Sequence, residues 1–295
     1  IAAKARAKGT KMVDGRDVFR LYDTYGFPYD LTEIIASEKG LTLDREGFES
    51  AMTEQQKRSR AAGKFDTGAS EVIEALDKAE IQTPATEFVR SDLSIESTVL
   101  GSVQVDDSIA VVLDRTPFYA EAGGQIADTG VLRNEKAEMR VEMTSLHRGM
   151  YVHEGHIQRG SADDFGKGVK ITAEVDAERR RDVMRNHTAT HLAHAALRKV
   201  LGEHVKQSGS YVGPDRMRFD FSHHQPMTPD EIAAVERIVN DRILAGTKVK
   251  TEEMPVEQAK KAGAMALFGE KYADTVRVVS VPGVSMELCG GTHVH

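Results

Sequence analysis

Two short motifs far apart in the chain constrain it more than anything else: His187-Thr188-Ala189-Thr190-His191 and Cys289-Gly290-Gly291-Thr292-His293. In the first, two imidazoles four residues apart on a predicted helix share one face, one turn apart. The second repeats the spacing with a thiol and a third imidazole on a glycine-rich turn. A fold that brings the pairs together assembles three nitrogens and one sulfur, a donor set that suits Zn²⁺ better than hard cations. Cys289 is the chain's single cysteine, so no internal disulfide can form, and its place inside the set favours the metal reading. Each pair alone has a blander explanation, as ordinary histidines or as a small buried thiol; the two together favour zinc. His194 falls roughly 10 Å along the helix axis from His187, too far to share an ion, and reads as structural. His295 ranks behind His293 as the fourth ligand.

The first motif is not the HExxH of zinc peptidases, because Thr188 stands where their glutamate base would be. Thr190 precedes a ligand and sits at the mouth of the expected site. Its hydroxyl is free to meet a substrate or to back-bond to a helix carbonyl, and both readings stay open. Gln207-Ser208-Gly209-Ser210 reads as a turn whose short polar side chains suit a pocket wall. Pro117 to Gln125 ends in Gly123-Gly124-Gln125. Paired glycines permit close backbone approach to a ligand, and they also occur in hairpin loops. Arg179, Arg180, Arg181 and Arg185 precede the metal helix, with Lys199 and Lys206 beyond. They form either a solvated face with Glu178, Asp182 and Glu203 or a partial RNA contact.

The pattern along the chain predicts an α+β protein in three parts. Residues 1–66 read as helices, with a break at Gly26-Phe27-Pro28, a restart capped by Asp30 with Glu33, and a polar helix from Asp44 to Arg60. Gly63 to Gly68 reads as a linker. Residues 67–177 carry short β-runs at 97–100, 109–113, 139–143 and 169–175, as in a small antiparallel barrel. Residues 178–295 mix helices and strands. There the metal helix is followed by a helix opened by Thr228-Pro229-Asp230-Glu231, expected to bury Ile232, Val235, Ile238 and Val239. Strands at 276–281 and 284–288 then deliver Cys289. A net charge of −7 supplies no global basic field, so any RNA contact must be local. No apolar run approaches the roughly 20 residues of a membrane span, and the start lacks a signal-peptide core, so a cytoplasmic protein is expected. Both ends read as cuts through a longer chain.

Leu21 to Pro28 with Asp30-Leu31-Thr32, and Gly47-Phe48 with Met52, Gln55 and Arg58, resemble alanyl-tRNA synthetase downstream of its catalytic core. Phe118 to Gln125 with Asp128 and Gly130 resembles that family's glycine-rich barrel motif, and the two metal motifs resemble its editing site. The resemblance runs through nearly the whole chain in the family's order. It implies a small antiparallel barrel followed by a zinc-binding editing core, hydrolysing the ester of tRNA(Ala) mischarged with serine or glycine. It implies His187, His191, Cys289 and His293 as zinc ligands, Thr190, Gln207 and Ser210 as pocket residues, and Gly123, Gly124 and Gln125 as a guide for the tRNA acceptor end. Arg181 and Arg185 are the basic residues placed beside that tRNA. Free-standing AlaX editing proteins lack the helical front, and the threonyl editing domain lacks both front motifs. The ATP-dependent ligation core is expected upstream. The competing readings are a zinc-stabilised tRNA-binding module without catalysis and a zinc hydrolase of another ester or small substrate.

Overall fold

The computed structural model describes residues 10–25, 27, 29–62, 66–79, 81, 84–265 and 273–295. The chain divides into two compact units between Glu71 and Val72.

The first unit joins strand β1 (Met12–Val13) to helices α1 (Gly15–Tyr25) and α2 (Tyr29–Glu38), strand β2 (Thr42–Leu43) and helix α3 (Arg45–Ala62). Phe48 is its hub, with the rings of Phe19, Tyr22 and Tyr29 at 6.2, 5.7 and 4.8 Å. Asp44 caps α3, its Oδ1 accepting from the Gly47 N–H at 2.9 Å. Helix α2 begins at Tyr29, so Asp30 lies inside its first turn and not at the cap. Gly26 and Pro28, within the expected break, fall outside the described residues, as do the side chains of Gln55 and Arg58.

Helix α4 (Asp66–Lys78) takes up the second half of the expected linker; 63–65 lie outside the described residues. Packing decides this, because Val72 and Leu76 are buried against Ala110, Val112, Met150 and Val152.

Strands β3 (Glu87–Phe88), β4 (Ser94–Val105), β5 (Ser108–Leu113), β6 (Arg115–Thr116), β7 (Gly130–Arg133), β8 (Glu138–His147), β9 (Met150–Arg159) and β10 (Lys170–Val175) follow. Six of them close an antiparallel barrel in the order β10-β4-β5-β9-β8-β7. Inward Val99, Val111, Leu113, Leu132, Met139 and Phe165 fill it. The runs expected at 97–100, 109–113, 139–143 and 169–175 all fall on barrel strands. The pattern missed β7 and β9. The first is four residues long, and the second carries two histidines, a glutamate and a glycine that mask its alternation.

Helix α5 (Ala177–Leu201) leaves the barrel after Asp176, which caps it by accepting from the Arg179 N–H at 3.1 Å. It faces a hairpin of β11 (Gln207–Val212) and β12 (Met217–Phe221), so Gln207 to Ser210 form a strand and not a turn. Helix α6 (Pro229–Leu244) opens with the expected capping box of Thr228 and Glu231. Its apolar face is not buried as expected: Val235, Ile238 and Val239 are half-exposed and Ile232 is exposed. The reason is that α6 rests mainly on α5, and its remaining sides meet water. Strand β13 (Lys250–Pro255), helix α7 (Val256–Lys261), strand β14 (Thr275–Val281) and strand β15 (Ser285–Leu288) complete the unit as a three-stranded antiparallel sheet over a small apolar cluster. No described helix is long and apolar enough to cross a membrane.

Candidate metal centre and the cleft beside it

Helix α5 presents His187 and His191 one turn apart, and β15 runs out into Cys289 and the loop carrying His293. One donor atom from each of the four lies within 4.8 Å of the others. Cys289 Sγ is 3.5 Å from His187 Nε2 and 3.3 Å from His293 Nε2. A tetrahedral zinc with bonds of about 2.0 Å to nitrogen and about 2.3 Å to sulfur sets those atoms about 3.5 Å apart. Neither His194 nor His295 belongs to the set.

Three of the four donors are hydrogen-bonded from behind, and His191 has a carboxylate beside it. Gln125 Oε1 lies 2.7 Å from His187 Nδ1, and Thr188 Oγ1 lies 3.2 Å from His293 Nδ1. Glu287 Oε2 lies 3.5 Å from His191 Nδ1, and the Gly291 N–H donates to Cys289 Sγ at 3.4 Å. The contacts to His187 and His293 point their opposite ring nitrogens at the common centre, as buttressing groups do in metal sites, whereas His191 Nδ1 makes no hydrogen bond among the described residues. Two guanidiniums pin the loop. Arg90 donates to the Gly290 and Gly291 carbonyls at 2.6 and 3.0 Å, and Arg277 to those of Cys289 and Gly291 at 2.8 Å each.

Burial sets the protonation states. It depresses His187 to about 3 and holds His191 and His293 below the ordinary imidazole value. It pushes the Cys289 thiol up to about 11. Four donor atoms thus converge in a buried space, a set that could hold a divalent cation, whose binding would release the thiol proton.

The set opens on one side into a cleft of about 910 Å³. Its walls include Thr190, Gln207, Ser210 and Gly123, which the sequence singled out as site residues. Thr190 Oγ1 donates to the Asn186 carbonyl at 2.9 Å, so the back-bonding reading holds and the oxygen keeps only acceptor capacity for anything else. Gln207 and Ser210 sit half-buried on β11.

The glycine-rich segment is a bracket between barrel and cleft. Gly123 has φ +59 and open space around it. Gly124 has φ +83, and a Cβ there would lie 2.5 Å from the Ser210 carbonyl oxygen. Gln125 is fully buried, its carboxamide also engaging Thr292 Oγ1 and the Thr292 N–H at 2.9 Å each. Asp128 holds the segment to α5 through Arg180, both side chains being buried. Arg181 and Arg185 are exposed on α5, with Arg185 paired to Asp182.

Sequence reasoning missed Glu287. Its carboxylate lies between His191 and His194, with Oε1 3.4 Å from His194 Nδ1 and no hydrogen bond to either ring, and it lines the cleft. The available signal was its position two residues before Cys289 on a predicted strand, which puts it on the same face. His194 packs against Phe219, ring centroids 5.1 Å apart, and is a wall of the cleft. Arg90 and Arg277 left no signal, since a lone arginine has no pattern.

The family described as tRNA synthetases class II (A) matches residues 2–179. The chain belongs to this family. Among this synthetase family's members, the alanine–tRNA ligase of Bacillus subtilis is 45% identical over 300 residues, 99% of this chain and 34% of that protein. That of Thermus thermophilus is 48% identical over 305 residues, 97% of this chain and 34% of that protein. That of Staphylococcus aureus is 46% identical over 302 residues, with coverage of 99% and 34%. The chain thus spans about a third of the length of these curated relatives.

Proposed function

We propose that this chain is the editing region of an alanyl-tRNA synthetase, removing serine or glycine esterified in error to tRNA(Ala). The observation that carries the reading is the convergence of His187, His191, Cys289 and His293, the first three of which line a 910 Å³ cleft that mixes apolar walls such as Phe219 and Met265 with polar groups such as Thr190, Gln207 and Ser210. That space suits a terminal adenosine carrying a small amino acid. The resemblance of the motifs and the likeness to alanine–tRNA ligases supply the substrate. In this reading residues 1–66 belong to the tRNA-recognition region, 67–177 to the barrel and 178–295 to the editing core. The whole parent would ligate alanine to tRNA(Ala) with ATP in the cytoplasm.

Zinc held by the set would supply Lewis acidity and a fixed positive charge toward the amino-acid end. Four protein donors make a closed set, so its first contribution is to fix the cleft wall. The chain's own groups do the rest. Thr190 Oγ1 presents an acceptor suited to a serine hydroxyl. Gln207 and Ser210 hold the ester and an attacking water from the opposite wall. Glu287 sets negative charge 3.5 Å from His191 Nδ1, on the side of the ring away from the centre. Gly123 leaves the cleft mouth open, and Arg181 and Arg185 place positive charge on α5 for the acceptor-end phosphates. Gln125, being fully buried, serves that end by holding the bracket in place.

The test is deacylation of Ser-tRNA(Ala) by the purified chain, with Cys289→Ala and Gln207→Ala alongside. Loss in both variants supports the reading. Full activity in both would end the site assignment. Tight tRNA binding with no ester cleavage would favour a zinc-stabilised binding module, and cleavage of small esters unaffected by added tRNA would favour another hydrolase.

A further inference from the structure

A second cluster of imidazoles stands apart from the centre described above. His204 lies in the loop between α5 and β11, and His223 and His224 follow β12. One ring nitrogen from each lies within 4.8 Å of the others. His204 and His223 stack with centroids 5.1 Å apart, and the His224 ring is tilted against both, at 5.3 Å from His204 and 4.4 Å from His223.

The backbone around the cluster is fastened. Arg198 Nη1 donates to the Glu203 and Val205 carbonyls at 2.7 and 3.0 Å, closing the loop that carries His204. The Ser222 N–H donates to the Lys206 carbonyl at 3.0 Å, adding a rung to the hairpin between the two sides. The framework therefore holds the backbone of the three histidines within reach of one another.

Their chemistry is unresolved by protein groups alone. His204 Nε2 and His223 Nδ1 share one contact of 2.9 Å, and His223 Nε2 is buried with no hydrogen bond among the described residues. The Glu231 carboxylate, bound to the Thr228 N–H at 2.7 Å, supplies negative charge nearby.

We infer that His204, His223 and His224 form a second divalent-cation site, of the nitrogen-donor class that takes Zn²⁺, Ni²⁺, Cu²⁺ or Co²⁺. A tetrahedral ion with bonds of about 2.0 Å holds imidazole nitrogens about 3.3 Å apart. That separation falls between the 2.9 Å of the His204–His223 pair and the 4.8 Å that bounds the set. Three protein donors leave one position for water or an outside ligand. The loop carrying His204 also places Glu203, Val205 and Lys206 on the cleft wall, directly before Gln207. A cation here clamps that wall to the exit of β12, and it does so whether or not the cleft edits tRNA.

The experiment is anaerobic Co²⁺ titration of the untagged, metal-free chain, followed by absorption. Cobalt at Cys289 gives a thiolate charge-transfer band in the near ultraviolet, whereas cobalt on three imidazoles gives only weaker visible bands. The expected result is a second equivalent that saturates with no further gain in the charge-transfer band. A His204→Ala/His224→Ala double variant is expected to lose that equivalent while keeping the band, which also reports that it has folded. Should the double variant lose the band, His224→Ala alone, an exposed change, is expected to weaken the second equivalent at least tenfold. Saturation at one equivalent with the full charge-transfer band in the unaltered chain, or a bandless equivalent that survives the His224→Ala change undiminished, overturns the proposal.

Discussion

Gln125 Oε1 stands 2.7 Å from His187 Nδ1 and also accepts from the Thr292 N–H at 2.9 Å, so one buried carboxamide ties both metal motifs together. The contact fixes the His187 tautomer with its proton on Nδ1 and its lone pair on Nε2, toward Cys289. Replacing Gln125 by Ala strands two buried donors and frees the His187 ring. The expected outcome is a zinc affinity weaker by about 10–100-fold in a protein that still folds. Competition against a chelator of known affinity measures it, and unchanged affinity would contradict the role given to Gln125.

Gly291 makes the same point by space. A Cβ there would collide with the His187 ring and come within 2.8 Å of Gln125 Oε1. Gly291→Ala is therefore expected to cost more zinc affinity than Gln125→Ala, because it displaces a ligand and does not merely loosen one. Gly290 has nothing within 4 Å of its would-be Cβ, so Gly290→Ala in the same chelator assay is the control expected to stay near the parent value.

The metal set was legible because its spacing carries geometry: four residues on a helix is one turn, whatever surrounds it. The capping box of α6 was legible for the same reason. Glu287 was not, since a single carboxylate on a strand has no period and its partners His191 and His194 arrive from another element. The β11 strand was hidden by Gln207, Ser208, Gly209 and Ser210, a turn-like run in which Gln207, Gly209 and Ser210 pair with β12 and the register shifts at Ser208. The buried face expected for α6 failed because periodicity reports an apolar stripe without saying how many neighbours will cover it.

The buried Arg180–Asp128 pair locks the glycine-rich bracket to α5, with Arg180 also donating to the Pro117 carbonyl at 2.7 Å. Removing one partner leaves an uncompensated buried charge. Asp128→Ala is expected to destabilise the chain by about 3–5 kcal/mol. Arg180→Met combined with it should recover part of that loss. Urea unfolding of the single and double variants checks both, and a loss that is merely additive would show that the two groups are not coupled.

His153 sets a pH dependence. It is fully buried in the barrel, between Thr116 Oγ1 at 2.7 Å and the Val111 carbonyl at 2.9 Å. Burial depresses its pKa from 6.5 to about 4. Between those values the unfolded chain binds the proton and the folded chain does not, so stability falls as pH drops from about 6.5 toward 4 and levels off below. The span corresponds to about 3 kcal/mol. His153→Gln, which keeps a donor and an acceptor, is expected to flatten that part of the stability curve in zinc-loaded protein. A variant curve parallel to the parent's would remove His153 as the cause.

Thr190 offers the sharpest test of how the proposed editing cleft tells serine from glycine. Its hydroxyl proton is committed to the Asn186 carbonyl, 2.9 Å away, so toward the cleft the oxygen can only accept. A serine ester has a hydroxyl to donate and a glycine ester has none. Thr190→Val keeps the side-chain shape, removes the acceptor and leaves the helix intact. One lost hydrogen bond of about 1–1.5 kcal/mol corresponds to a drop of about tenfold in kcat/KM for Ser-tRNA(Ala). Hydrolysis of Gly-tRNA(Ala) should be nearly unchanged, because no partner is lost. The ratio of the two kcat/KM values is therefore the quantity to measure. An equal fall for both esters would mean that Thr190 shapes the cleft without reading the substrate's hydroxyl.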